Sequence, residues 1–136
     1  MKRDPRLHAL SSEHHHALVL ARRLAELAHA GKTDAAAARD LAERFARELE
    51  PHFKVEEELL LPALEQAGED ALVLRTREDH AALRAHAERA GRGDPTGLGD
   101  FAERLTEHVR FEERALFPRC EALPDAVLDA VARPRA

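Results

Sequence analysis

The residues best suited to chemistry are histidines and glutamates at helical spacing. His52-Phe-Lys-Val-Glu56-Glu57 and His108-Val-Arg-Phe-Glu112-Glu113 repeat the pattern H-x-x-x-E-E at an offset of 56 residues. Each copy runs on to a leucine (Leu60, Leu116) and a proline (Pro62, Pro118), a coincidence far beyond chance. A His and a Glu four apart share one face of an α-helix, so each copy can aim an imidazole and a carboxylate at one point. That pair suits a divalent transition metal. Glu57 and Glu113 fall ~100° further round the helix and are expected to face solvent.

The chain has 9 His, and those that face a core have apolar residues three and seven positions on. His52 (Val55, Leu59), His108 (Phe111, Ala115) and His80 (Leu83, Ala87) pass this test. In the run His14-His15-His16 only His14 passes, with Ala17 and Ala21, whereas His15 meets Arg22 and His16 meets Arg23. Depth along the helices agrees. His14 lies 17 residues before Gly31 and His52 lies 18 after Asp34, while His52 lies 10 before Pro62 and His80 lies 10 after Asp70. His80 and His108 stand 11 residues either side of the Gly91–Gly97 loop. At ~1.5 Å per residue all four His share one layer to within a turn. His14, His52, Glu56, His80, His108 and Glu112 are therefore the expected ligands of a dinuclear site. Six polar groups converging in a core without a partner would be costly.

The elements that must hold this layer follow from composition and punctuation. Hydrophobic residues are 44% of the 136, dominated by Ala and Leu, with no Ile, Tyr or Trp. Such a chain prefers helices to sheets. Gly31, Gly68-Glu69-Asp70 and the segment Gly91–Gly97 divide it into four helices, and a short amphipathic piece near 125–132 follows. Short connections imply antiparallel neighbours, hence an all-α, up-down-up-down four-helix bundle with a short C-terminal helix, one domain over residues 1–136. Pro51 is expected to kink the second helix and Pro62 to bend or end it.

A net charge of −5 offers no basic surface for nucleic acid or an anionic membrane. One Cys excludes a disulfide framework, a thiolate zinc cage and an iron–sulfur cluster within the chain. No long apolar run and no leader are visible, so the expected location is the cytoplasm. A ferritin-like carboxylate site needs two Glu-x-x-His motifs, and only Glu13-His-His-His16 fits. With no Tyr there is no tyrosyl-radical route. Paired carboxylates favour iron or manganese, and zinc is chemically possible.

These motifs resemble the hemerythrin-like (HHE cation-binding) family. The matching pieces are Ser12-Glu13-His14, the two H-x-x-x-E-E copies with their prolines, and Glu78-Asp79-His80, over about Leu7 to Glu121. The resemblance implies a bundle holding two non-haem irons, bridged by Glu56 and Glu112 and capped by His14, His52, His80 and His108. The sequence departs from the oxygen-carrying members in two places. Arg84 stands where they have a further His ligand, and Glu112 stands one residue before their Asp. Unless His15, His16 or His86 substitutes, open metal positions follow. The leading expectation is a protein that binds or senses O2 or a related diatomic or peroxide, or buffers iron, as a monomer or weak homodimer. The alternatives are an enzyme acting on peroxide or NO or donating iron for repair, and a metal-free interaction module.

Overall fold

The computed structural model describes residues 3–135; Met1, Lys2 and Ala136 of the expected domain lie outside them. Among the described residues all regular structure is helical and none is strand. A single 3-10 turn at Pro5–Leu7 leads into α1, His8–His29. The second helix, α2, runs unbroken over 35–66, α3 covers Asp70–Gly91, α4 covers 98–120 and α5 covers Asp125–Ala132. Local signals set the ends. Gly31 and Gly68 take positive φ of 68° and 84°, a conformation natural to glycine that reverses the chain after a helix. Asp34 caps α2 by accepting a hydrogen bond from the Ala37 N–H at 2.8 Å.

The prolines neither break nor end α2. It passes through both in two π turns, Phe45–Leu49 and Glu56–Leu60, and α4 has a third at Glu112–Leu116. In each, an N–H reaches the carbonyl five residues back: Glu50 to Phe45, Leu61 to Glu56 and Phe117 to Glu112. A proline follows directly each time (Pro51, Pro62, Pro118). Proline cannot donate and collides with the carbonyl four residues back; opening the preceding turn by one residue relieves that conflict while the helix continues. Two of the three π turns begin at a repeat glutamate, so the shared Pro of the motif shapes the backbone at Glu56 and Glu112.

The helices pack α1 on α4, α2 on α3 and α3 on α4. Two apolar clusters result. One holds Leu20, Leu24, Leu41, Phe45, Phe53, Leu83, Phe101 and Leu105. The other holds Leu7, Leu10, Leu60, Leu64, Leu116, Phe117, Cys120 and Leu128, with α5 and the 3-10 turn closing its end. Each buried leucine or phenylalanine contributes ~1.5–3 kcal/mol, offsetting the cost of the polar layer between the clusters. Along α1 and α3 the chain passes from the second cluster through the histidine layer to the first; along α2 and α4 it passes the other way. No described helix is long and apolar enough to cross a membrane.

Candidate metal centre

Each long helix delivers side chains to this layer: His14 from α1, His52 and Glu56 from α2, His80 from α3, His108 and Glu112 from α4. The structure brings all six together, none more than 4% exposed. One ligand atom from each of His14, His52, Glu56 and Glu112 lies within 4.8 Å of the others, and the same holds for Glu56, His80, His108 and Glu112. The two groups share both glutamates. His15 and His16 are exposed. His86 sits apart, against Arg89 and the Phe101 ring.

Every imidazole presents Nε2 to the interior. His14 Nε2 is 2.7 Å from Glu112 Oε1 and His80 Nε2 is 3.0 Å from Glu56 Oε1. His52 Nε2 stands 3.2 Å from Glu56 Oε2, and His108 Nε2 stands 3.3 Å from Glu112 Oε2. The last two contacts are poorly aligned for hydrogen bonding. Four buried side-chain atoms among the described residues have no hydrogen-bond partner: His52 Nε2, His108 Nε2, Glu56 Oε2 and Glu112 Oε2. All four point into this cluster. Buried polar atoms are rarely left unpaired, and here they are two imidazole nitrogens and two carboxylate oxygens, the donors that divalent transition metals take. The residues fit a metal.

The outward nitrogen of each imidazole is held by a further carboxylate, an arrangement that sequence reasoning missed. His14 Nδ1–H donates to Glu113 at 2.6 Å, His80 to Glu57 at 2.6 Å, His52 to Glu13 at 3.0 Å and His108 to Asp79 at 2.9 Å. An ionised carboxylate only accepts, so these contacts fix the proton on Nδ1 and leave Nε2 for a metal. Glu57 and Glu113, expected in solvent, are thus structural parts of the site. A wheel of α2 or α4 alone does not show that a neighbouring histidine reaches across to them. Each outer carboxylate in turn meets arginine: Glu113 with Arg3 and also Ser11, Glu57 with Arg84, Glu13 with Arg135, and Asp79 with Arg75 and Arg104. Arg84 also pairs with Glu50 and lies over the Phe53 ring.

Aromatic rings pack the imidazoles in place. Phe53 stacks on His80 with centroids 3.8 Å apart, and Phe117 stacks on His14 at 5.0 Å. Phe111 packs in the second apolar cluster and carries Arg75 over its face. Cys120 is buried, and burial together with the nearby Glu112 and Glu56 charges pushes its thiol up, which keeps it protonated. A void of about 10 Å³, room for one water-sized molecule, touches His14, His52 and His108 and is otherwise lined largely by apolar residues.

Metal-free, the cluster holds protons. Burial pushes His108 down, but Glu112 and Asp79 outweigh it and carry its pKa up to about 10. His14 and His52 are raised in the same way, against burial, by Glu112 with Glu113 and by Glu56 with Glu112. Burial pushes Glu112 up, yet the imidazoles around it hold it well below the usual carboxylate range. Cations and protons compete for these atoms, so metal uptake releases protons.

The chain matches the family described as the hemerythrin HHE cation binding domain over residues 6–120. Comparison with curated proteins and with solved structures yields no match.

Proposed function

The chain belongs to the hemerythrin HHE cation-binding family, and from that premise we propose that it is a non-haem di-iron protein that binds or senses O2 or a related small molecule, or buffers iron. In this reading residues 1–136 form one cytoplasmic domain, an up-down-up-down antiparallel four-helix bundle with a short C-terminal helix. The alternating order of the two apolar clusters along successive helices supports that topology. Glu56 and Glu112 would be shared by two metal ions, with His14 and His52 holding one and His80 and His108 the other. The observation that carries the dinuclear assignment is that the two four-residue groups share both glutamates. Iron is preferred to manganese or zinc because it adds redox chemistry toward oxygen to a His and carboxylate donor set.

The protein's own contribution is positioning. The outer carboxylates orient each imidazole, the stacked phenylalanines exclude water, and the void beside His14, His52 and His108 leaves room for one small ligand. Four histidines and two glutamates leave metal positions open, which favours O2, NO or peroxide as that ligand over a saturated structural site. The enzyme reading is second, because among the described residues bordering the void the carboxylate that touches solvent is Glu13, already engaged by His52 and Arg135. Anaerobic ferrous titration with metal analysis is expected to give two irons per chain and an optical change on admitting air. A ratio of one would remove the dinuclear assignment.

A further inference from the structure

A small ligand must still reach the void. Nearly all of its walls are closed: Phe53, Leu105, Val109 and His108 are each no more than 2% exposed. Beyond one wall lies a surface groove between α1 and α2, about 240 Å³ in volume. Groove and void share three lining residues, Glu13, Ala17 and Leu49. Ala17 and Leu49 are buried, while the Glu13 side chain is 33% exposed. Glu13 is therefore the side chain that faces both solvent and void. Its Oε1 accepts from His52 Nδ1 on the inner side, at 3.0 Å, and from Arg135 Nη2 on the outer side, at 2.7 Å.

The corresponding place between α3 and α4 also carries a surface groove, about 540 Å³ and lined by Asp79, Glu103 and Arg104, but among the described residues no void lies behind it. Asp79 makes the equivalent contact to His108 but is only 5% exposed at its side chain, and Leu83 fills the position that Ala17 holds on α1. Ala17 follows His14 by three residues as Leu83 follows His80, so one difference between the two sites is the volume of that side chain.

We propose that the α1–α2 groove is the entrance by which small molecules reach the His14–His52 side of the centre, with Arg135 acting as a latch that holds Glu13 across it. Release of the Arg135 ion pair, with transient loss of the His52 Nδ1 contact, lets the Glu13 carboxylate swing toward solvent over the small Ala17. The ligand identity rests on the function proposed above; the route does not, since metal ions entering the metal-free protein meet the same wall. A gate alters passage in both directions equally and leaves affinity alone.

The test is nitric oxide binding to the ferrous-loaded full chain by stopped flow, with Co2+ uptake by the metal-free chain as a second probe. Arg135→Ala is expected to raise the association and dissociation rates together by about fivefold, the upper end for a partly exposed ion pair, at unchanged Kd and unchanged spectrum. Arg135→Lys should restore wild-type rates, and Arg75→Ala, at the counterpart groove, should leave them alone. Equal rates in Arg135→Ala and wild type, or equal acceleration in Arg75→Ala, would overturn the latch. A changed Kd with unchanged association would assign Arg135 to holding His52 rather than to access, and would overturn it as well. If nitric oxide does not bind, the ligand reading fails, and the Co2+ uptake rates decide the route by the same criteria.

Discussion

The half of the centre built on His14 and His52 and the half built on His80 and His108 use the same parts in the same order. In each, the acidic residue before the α1 or α3 histidine (Glu13, Asp79) holds the α2 or α4 histidine. The second glutamate of each repeat (Glu113, Glu57) holds the histidine of the other pair of helices. Every side chain that faces a metal position is thus matched by an approximate two-fold. The halves part company one step further out. Ala17 stands against Leu83, Leu18 against Arg84, and a partly exposed Glu13 against a buried Asp79. The metal-facing residues are alike in the two halves and the differences begin one step out, where Glu13 both holds His52 and borders the groove.

Removing a shared carboxylate should break both halves at once. Glu56→Ala and Glu112→Ala are each expected to abolish binding of the second metal ion, measured as metal per chain after ferrous loading. Retention of two ions by either variant would refute the shared role. Next in size is the residue that closes the second half. Leu83 is fully buried, and Leu83→Ala should cost ~2–5 kcal/mol in urea unfolding while opening a void like that beside Ala17. A loss below ~1 kcal/mol would mean that the two halves do not differ in packing there.

The outer carboxylates come third. Glu57→Gln and Glu113→Gln should each weaken metal affinity about 10–100-fold with little change in the metal-free fold. Near-equal losses are expected, because both carboxylates hold their histidines at 2.6 Å. A silent Glu113→Gln beside a damaging Glu57→Gln would show that Arg84 makes the second half the stronger one.

The last test is the pH dependence of the metal-free protein. His108 rises from its ordinary 6.5 to about 10 in the fold. A raised folded pKa stabilises fully below the unfolded value and loses that contribution as pH climbs through the folded one. The urea midpoint of metal-free protein should fall between pH 6.5 and 10, whereas metal loading, which displaces protons, should strengthen over the start of that range. A midpoint that rises with pH would contradict the ion-pair account.

Much of this was legible in the chain because it is local. The four-residue step between His52 and Glu56, the glycine stops at Gly31 and Gly68, and the apolar pattern behind His14 and not His15 are all properties of single helices. The prolines were legible as disturbances but not as π turns. Whether a helix kinks, ends or bulges at Pro62 depends on whether packing on both sides, here Leu60 and Leu64, holds it on course. Arg84 finds its partners, Glu50 and Glu57, on another helix, where no local spacing points to them.

The sequence by itself determined an all-helical chain, six buried donors at one depth and their match to a cation-binding family, since helical periodicity converts spacing into direction. Only the tertiary structure decided that Glu13, Glu57, Asp79 and Glu113 hold the imidazoles from behind, and that a small void lies beside Ala17. Those facts depend on contacts between helices, whose partners lie 23 to 99 residues apart in the chain. Separations of that size leave no periodic trace to read.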